Sequence, residues 1–592
     1  MKQFFGAFFG SIIGLLITGV VMALIIGGFI AAGLKGAFDG NGEKSFSTRD
    51  NSVLHLKIDG MITDRGTDNP FDDLDLGPWM PQASLGVRGI VKSIEFAKTD
   101  DKIKGIYIDI KHLQAGFASV EEIRNALVDF RKSKKFIWAY SEVMSQKEYY
   151  LASAATKVYL NPQGGMEWKG LSAQLMFFKN MLDKLNIEMQ IFRHGKFKSA
   201  IEPFMLDKMS AANRLQTETY MNSIWAAMTD GISKERGISV EKLNELANTL
   251  AIESPESALE NKLVDGLKYE DEVMTELKNE LKIKEKDKIA FAEISKYQKN
   301  VKDRKMGVKD KVALIYAVGS IESGEGNDET IGSDRIAKAI REARLDSSVR
   351  AVVMRVNSPG GSALASDVIW REVTLAKKVK PFIVSMGDLA ASGGYYISCA
   401  ADRIFAQPNT ITGSIGVFGM LPNIQKAFAD KLGINVDTVN TNKHSDIGTP
   451  FRPVAKDEYN YIQNSVEKVY STFISRVAEG RGTTTAMVDS IGQGRVWSGS
   501  DALKINLVDE IGGTDEAIAY AVKKAKLTEY KIEELPKRKD PLSTLLGNKE
   551  DEVETRLIKK NLGVQYEYLN VIKNIMTMKG VQARIPYEMI IN

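Results

Sequence analysis

The chain opens with an uninterrupted apolar run. From Phe4 to Leu34 no residue is charged, and outside the glycines only Ser11 and Thr18 are polar. These 31 residues exceed the ~20 that cross a hydrocarbon layer and the roughly 7–15 of a secretory h-region, so they predict an uncleaved membrane anchor. Cleavage near Ala31-Ala32-Gly33 is the alternative. Beyond the anchor, short β-branched runs alternate with amphipathic segments. Val312–Val318 reads as a strand, Ser333–Ala343 as a helix and Ala351–Val356 as a strand, followed by a glycine turn, a helix and the strand Phe382–Ser385. Strands alternating with helices pair in parallel through crossovers, which predicts an α/β fold.

The same pattern occurs twice. Lys104-Gly-Ile-Tyr-Ile-Asp-Ile110 matches Arg350-Ala-Val-Val-Met-Arg-Val356, and the same spacing of 246 separates Tyr149-Tyr150 from Tyr395-Tyr396 and Gly170 from Gly416. Asn186-Ile187 pairs with Gly433-Ile434 and Pro203-Phe204 with Pro450-Phe451 at 247, then Leu263-Val264-Asp265 with Leu507-Val508-Asp509 at 244. The chain therefore divides into an anchor (4–34), a first α/β copy (45–305), a second (307–535) and a C-terminal extension (536–592). The Lys/Glu-rich stretch Glu270–Asp310 reads as a helical link between the copies, and the loop Thr63–Gln82 as a solvated connection. In the extension, Leu557, Leu562, Tyr566 and Leu569 fit a helix that packs on the body or on another subunit.

Composition narrows the chemistry. With 44% apolar and 26% charged residues the chain is globular, and 79 basic against 76 acidic residues, with no long basic block, exclude a nucleic-acid partner. The charges flanking the anchor, Lys2 before it and Lys35, Lys44 and Arg49 after it, do not decide which side of the membrane the body occupies. The single cysteine, Cys399, rules out an internal disulfide and follows a core-like stretch, and four scattered histidines offer no metal-ligand spacing. No metal or cofactor is expected.

Two glycine turns of the second copy follow the carboxyl ends of strands, where open α/β sheets place ligands. They are Asn357-Ser-Pro-Gly-Gly-Ser362 and Gly387-Asp-Leu-Ala-Ala-Ser-Gly-Gly-Tyr395. Ser392, starting a helix, is a candidate nucleophile; the N–H of Gly393 and of Gly360 or Gly361 are candidate oxyanion donors. A single Ser-Gly-Gly would read as a tight packed turn, but two facing turns favour a site. The base is either His194 or a lysine whose pKa burial has lowered. In Arg193-His-Gly-Lys-Phe-Lys-Ser-Ala-Ile-Glu-Pro-Phe204, Lys198 lies beside an apolar, proline-closed segment, with Ser199 and Glu202 near enough to orient it. On its own such a lysine reads as a surface charge. The duplication argues otherwise: opposite Ser392 the first copy has Gln146, opposite the Pro-Gly-Gly turn it has Leu113-Gln114-Ala115, and opposite Lys198 the second copy has Ser445. Each copy lacks what the other keeps, as expected of two ancestral sites that decayed in complementary ways.

In Gly-Lys-Phe-Lys-Ser-Ala-Ile-Glu-Pro-Phe, Asn-Ser-Pro-Gly-Gly-Ser and Ser-Met-Gly-Asp-Leu-Ala-Ala-Ser-Gly-Gly-Tyr-Tyr the sequence resembles the signal peptide peptidase A family, membrane-anchored Ser/Lys proteases, in its long duplicated form. The resemblance covers most of the chain after the anchor. It implies tandem Clp-protease/crotonase-like domains, Ser392 as nucleophile, Lys198 as general base, and a homotetrameric bowl. It also implies a body on the extracytoplasmic side of a bacterial cytoplasmic membrane, and hydrophobic remnant signal peptides as substrates. Gly361 and Gly393 would then hold the oxyanion. Two other classes remain to be weighed: a crotonase-like acyl-CoA enzyme, which would leave Lys198 unexplained, and a non-catalytic membrane scaffold, which would not retain both Ser392 and Lys198.

Overall fold

A computed structural model of the protein describes residues 14, 17–22, 47–66, 84–301, 307–538 and 581–584. Of the apolar N-terminal run, Gly14 and residues 17–22 are helical; the rest of the anchor lies outside the described residues. Among the described residues no helix is long and apolar enough to cross a membrane. The extension residues Leu557, Leu562, Tyr566 and Leu569 also lie outside them.

The β-branched runs form two sheets, the first parallel and the second parallel except for the antiparallel pairing of Val496–Ser498 with Ile411–Gly413. In the first, Leu85–Gly86, Ser52–Thr63, Ile103–Gln114, Phe136–Met144, Lys157–Met166 and Gly266–Leu267 lie in that spatial order. In the second, Val496–Ser498, Ile411–Gly413, Phe382–Ala391, Val349–Ser358, Lys311–Val318 and Lys531–Leu535 do so. The central strands are buried on both faces, Ile103–Ile110 and Ala351–Val356 almost throughout, because helices cover both sides. The helix Ser333–Leu345 shows how: Ile336, Ala339, Ile340 and Ala343 recur at helical spacing and are buried.

The duplication extends to details. The strands Phe136–Met144 and Phe382–Ala391 start at matching positions, and the 26-residue helices Ala211–Arg236 and Lys456–Arg481 end at left-handed glycines, Gly237 and Gly482. Each long helix is tied down by the same ion pair, Arg236–Asp265 at 2.9 Å and Arg481–Asp509 at 2.6 Å.

Two expectations about connections need correcting. Glu270–Asp310 is not helical throughout. After the helix Glu270–Glu280 the chain returns to the first sheet as the strand Phe291–Glu293 beside Ser52–Thr63. Ile289 and Phe291 bring it there by packing on the buried Tyr107 and Tyr140 cluster. The start of the Thr63–Gln82 loop is not solvated: Asp64 is buried, 2.6 Å from Arg355 Nε and 2.6 Å from Asn357 Nδ2. Arg355, also buried, meets Glu122 at 2.6 Å, and Asp388 accepts hydrogen bonds from Ser119 N and Oγ at 2.9 and 2.6 Å. Charge that burial would otherwise penalise is thus paired across the junction of the two copies.

A third sheet is built from both copies. Its order is Thr330–Gly332, Ser320–Glu322, Gly360–Ser362, Gln582–Arg584, Phe418–Asn423 and Glu188–Arg193. Glu188–Arg193 of the first copy pairs antiparallel with Phe418–Asn423 of the second, which carries the Arg193–Phe204 segment into the second copy's glycine turns.

Candidate active site

Ser392 stands between the strand Phe382–Ala391 and the helix Gly393–Ser398, with φ 55° and ψ −112°. For a residue with a Cβ this backbone costs of order 1–3 kcal/mol and persists only where the surroundings over-determine it. Here Ser392 N donates to Gly413 O at 2.8 Å and its carbonyl accepts from Tyr396 N at 2.8 Å. The result directs the hydroxyl away from the helix, 3.3 Å from Gly416 O.

Lys198 reaches this hydroxyl from the other copy. Its Nζ lies 2.9 Å from Ser392 Oγ, 3.1 Å from Ser414 Oγ and 3.3 Å from Ser414 O. Ser392 and Lys198 are 0% and 1% exposed, so the pair is buried. Burial alone, with no carboxylate acting on the amine, holds Lys198 well below the ordinary lysine range. The lysine loop docks closely on the second copy: Phe197 N donates to Gln493 O at 3.0 Å, and a Cβ on Gly494 would lie 2.6 Å from Lys198 N. Only glycine allows that approach.

The neighbours expected to orient the amine do something else. Glu202 accepts from Ser210 N (3.1 Å), Ser210 Oγ (2.6 Å) and Asn213 Nδ2 (2.9 Å), and Ser199 Oγ accepts from Gln216 Nε2 at 3.0 Å. Both fasten the loop to the start of the long helix Ala211–Arg236, and neither touches Lys198 Nζ. That part falls to Ser414, which sequence reasoning passed over. Ser414 sits at φ 49° in Thr-Gly-Ser-Ile-Gly416, and its own hydroxyl donates to Gly494 O at 3.2 Å. The crowded glycines around it were the available signal.

His194 is elsewhere. Its Nδ1 is 2.6 Å from Glu467 and its ring stacks on Tyr470 at 3.7 Å, so it is engaged away from Ser392. Cys399 is buried core, its thiol pushed up to about 12 by burial. The two glycine turns do meet: a Cβ on Gly360, whose φ is 95°, would lie 2.7 Å from Gly393 N. Gly360 N is taken by Ser358 Oγ at 3.1 Å, which leaves Gly361 and Gly393 as the candidate donors.

A family profile described as peptidase family S49 matches the chain twice, over residues 129–284 and 374–528. The two matches start 245 residues apart and end 244 apart, the spacing of the internal duplication. Protease 4 of Haemophilus influenzae is 36% identical over 505 residues, 82% of this chain and 81% of that protein. The chloroplastic serine protease SPPA of Arabidopsis thaliana is 33% identical over 91% of this chain and 78% of its own length. A putative signal peptide peptidase SppA of Enterococcus faecium is 32% identical over 41% of this chain and 72% of that protein. Fold, site and relatives together define a serine protease made from two copies of one α/β unit. The chain belongs to peptidase family S49, in a duplicated form. The acyl-CoA and scaffold readings fall away with that membership.

Proposed function

We propose that this protease degrades apolar peptides left in the membrane, remnant signal peptides foremost, with Ser392 as nucleophile and Lys198 as general base. The observation that carries the reading is the 2.9 Å contact between Lys198 Nζ and Ser392 Oγ, both side chains being buried. An amine held neutral by burial takes the Ser392 proton as the oxygen attacks the scissile carbonyl, then returns it to the departing amine. The N–H groups of Gly361 and Gly393 hold the oxyanion, and Ser414 keeps the lysine aligned. Two copies are needed because each contributes one member of the pair.

The signal-peptide substrate is supported by the name of the Enterococcus faecium relative and by the apolar Phe4–Leu34 run, which would hold the site beside the bilayer where such peptides reside. The same run supports single-pass attachment; the body's place on the extracytoplasmic side of a bacterial cytoplasmic membrane is read from the resemblance to the signal peptide peptidase A family. The tandem copies are read as Clp-protease/crotonase-like domains and the assembly as a homotetramer. Self-association is favoured by an apolar arm on which Leu432, Ile434, Val436 and Val439 are exposed, joined to the first copy by Asn186 Nδ2–Asp430 Oδ2 at 2.9 Å.

The test is digestion of a synthetic signal peptide by the full chain in detergent, followed by mass spectrometry, alongside a polar peptide of equal length. Faster cleavage of the signal peptide, with fluorophosphonate attached at Ser392, is expected. Equal or slower cleavage would refute the substrate reading, and label at another residue would refute the nucleophile.

A further inference from the structure

One buried polar side chain touches both the lysine loop and the strand behind the serine, and the proposed chemistry does not use it. Gln216 lies in the second turn of the first copy's long helix Ala211–Arg236 and is 2% exposed. Its Nε2 donates to Phe197 O at 3.2 Å and to Ser199 Oγ at 3.0 Å, on the residues immediately before and after Lys198, and lies 3.3 Å from Asn213 Oδ1. Its Oε1 accepts from Val496 N of the second copy at 3.2 Å. Only one orientation of the amide satisfies these partners, since Val496 N donates and Phe197 O accepts.

The far end of this bridge leads to the nucleophile. Val496 stands opposite Gly413 in the antiparallel pair of Val496–Ser498 with Ile411–Gly413. Gly413 O accepts from Ser392 N at 2.8 Å. The next residue, Ser414, donates its N–H to Arg495 O at 2.7 Å, and its hydroxyl lies 3.1 Å from Lys198 Nζ. A single amide therefore spans from both flanks of the lysine to the strand that carries the anchor of the serine. Holding that strand does not itself require Gln216: Ser223 Oγ, two turns further along the helix, bonds Ser498 Oγ at 2.7 Å.

The duplication separates the two roles. The second copy's helix Lys456–Arg481 has the same 26 residues, and its sixth position, Tyr461, matches Gln216 but is 70% exposed. Its preceding loop carries Ser445 where the first copy has Lys198. The buried amide belongs to the copy whose loop carries the lysine.

From this geometry we infer that Gln216 is a positioning residue for the general base, fixing the Lys198 loop against the second copy so that amine and hydroxyl stay within reach of proton transfer. The inference rests on the reading of Lys198 as base. An amine and a hydroxyl 2.9 Å apart tolerate little slack, and about 1 Å of misplacement can cost about 10²-fold in rate. The charged neighbours of the loop do not replace the clamp: Glu202 is bonded to Ser210 and Asn213, and Arg495 and Lys196 lie over the Phe197 ring at 5.1 and 5.3 Å. Loosening the loop also exposes the amine to water, which returns the pKa of Lys198, held down by burial alone, towards the ordinary range.

The experiment uses the full chain in detergent and a short peptide ester. Gln216→Met, close to glutamine in length, should lower kcat by about 10–10²-fold with KM within twofold, and the rising limb of kcat/KM should move to higher pH by about one unit or more. Gln216→Asn keeps the amide but is one methylene too short to span both partners; it should show the same signs in smaller size, and carries the test if Gln216→Met does not fold. Ser223→Ala, which cuts the other tie between the same helix and strand, should keep kcat within twofold and the limb in place, whatever its cost in denaturant stability. In a Lys198→Ala background Gln216→Met should slow fluorophosphonate labelling of Ser392 less than twofold, because a residue acting through Lys198 then has nothing left to position. A further tenfold loss in that double variant, or equal losses of kcat in Gln216→Met and Ser223→Ala, would make the amide a general support of the fold and overturn the proposal. Wild-type kcat and an unmoved limb in Gln216→Met, beside an inactive Lys198→Ala, would overturn this inference alone, whereas full activity in Lys198→Ala would overturn the base reading on which it rests.

Discussion

The helix start that carries Ser392 has a counterpart in the first copy, and the two have opposite characters. In the first copy the helix Gln146–Ala152 begins with an ordinary cap: Ser145 has φ −69°, and Glu148 reaches back to Ser145 N at 2.7 Å. Gln146, in the position of Ser392, accepts from Lys169 N and Gly170 N at 2.9 and 2.8 Å and donates to Gly170 O at 2.9 Å. Gly170 corresponds to Gly416, the carbonyl that Ser392 Oγ faces. Where the second copy has Gly393 and Gly394, the first has Lys147 and Glu148. Their side chains close the space by bonding Ala115 O at 2.9 Å and Leu113 N at 2.9 Å. Ser414 is matched by Trp168, buried with its indole N–H on Leu243 O. The polar groups at the first copy's helix start are satisfied within that copy. At this matched position the left-handed backbone belongs to the copy that retains the serine, Ser392 at φ 55°, as expected if the strain serves a reaction rather than the fold.

The largest effect that would break this contrast is loss of the second copy's hydroxyl. Ser392→Ala should lower kcat for a peptide ester by about 10⁴–10⁶-fold while leaving circular dichroism and oligomer size unchanged, since it removes one buried oxygen. Lys198→Ala should fall in the same range. The double variant should lose almost nothing more, because groups acting as one unit are non-additive. Lys198→Arg should also fail, a guanidinium being unable to release its proton near neutral pH, whereas His194→Ala should keep at least half of wild-type activity. Activity in Lys198→Arg, or its loss in His194→Ala alone, would move the base role off lysine and dissolve the two-copy site.

Placing first-copy chemistry in the second is the next step down. Gly393→Lys reproduces the Lys147 arrangement at the candidate donor. A Cβ there already lies 2.7 Å from Ser366 Oγ and 3.1 Å from Ala583 O. Steady-state assays should show kcat lower by about 10²–10³-fold, the usual effect of losing one oxyanion donor. Wild-type turnover would put the oxyanion elsewhere.

The contrast also explains how much of this could be read in the sequence. The duplication spacing located both halves of the site, because the two copies differ where chemistry separates them: Gln146 against Ser392, Lys198 against Ser445. The α/β alternation was legible because strands such as Val349–Ser358 are buried on both faces and so carry unbroken apolar runs. Contacts made only in three dimensions were not legible. Glu202 is four residues from Lys198, yet it turns to Ser210 and Asn213 because the long helix starts beside it. Asp64 lies in a polar loop, yet it is buried by an arginine 291 residues away. Gln582–Arg584 is three residues long, too short to show a period, and is defined as a strand only by its neighbours.

The pH dependence gives a smaller and more diagnostic test. Because burial depresses the folded-state pKa of Lys198, the neutral amine is present above that lowered value and lost below it. Accordingly kcat/KM should rise with pH through one ionisation well below the ordinary ~10.4 and then level off. Stability follows the same sign. Between the lowered folded value and the ordinary one the unfolded chain binds more protons, so stability rises with pH across that window and falls as pH drops. Lys198→Met should abolish the slope and raise unfolding free energy by about 1–3 kcal/mol, the cost of burying an amine. Denaturant unfolding at several pH values measures both, and an undiminished slope in Lys198→Met would assign the titration to another group.

The smallest effect on activity belongs to the closed site, and it sharpens the comparison from the other side. Gln146→Ser restores to the first copy the residue type that the second uses. If a serine at a helix start were enough, it would gain reactivity. Three features argue that it will not: Lys147 and Glu148 fill the space that Gly393 and Gly394 leave open, Ser145 keeps the helix start in relaxed geometry, and the residue matching Lys198 on the other copy is Ser445, exposed and turned to its own loop at Asn442. Peptide mapping after fluorophosphonate treatment should therefore find label at Ser392 alone, with activity within twofold of wild type. The cost should appear in stability, because the shorter side chain cannot span to Lys169 N, Gly170 N and Gly170 O together. Leaving a buried backbone group unbonded costs about 1–3 kcal/mol, and Gln146→Ala should lose at least as much as Gln146→Ser. A labelled residue 146, or lost turnover with unchanged stability, would mean that the first copy takes a direct part in catalysis and that its closure is not the relaxed remnant described above.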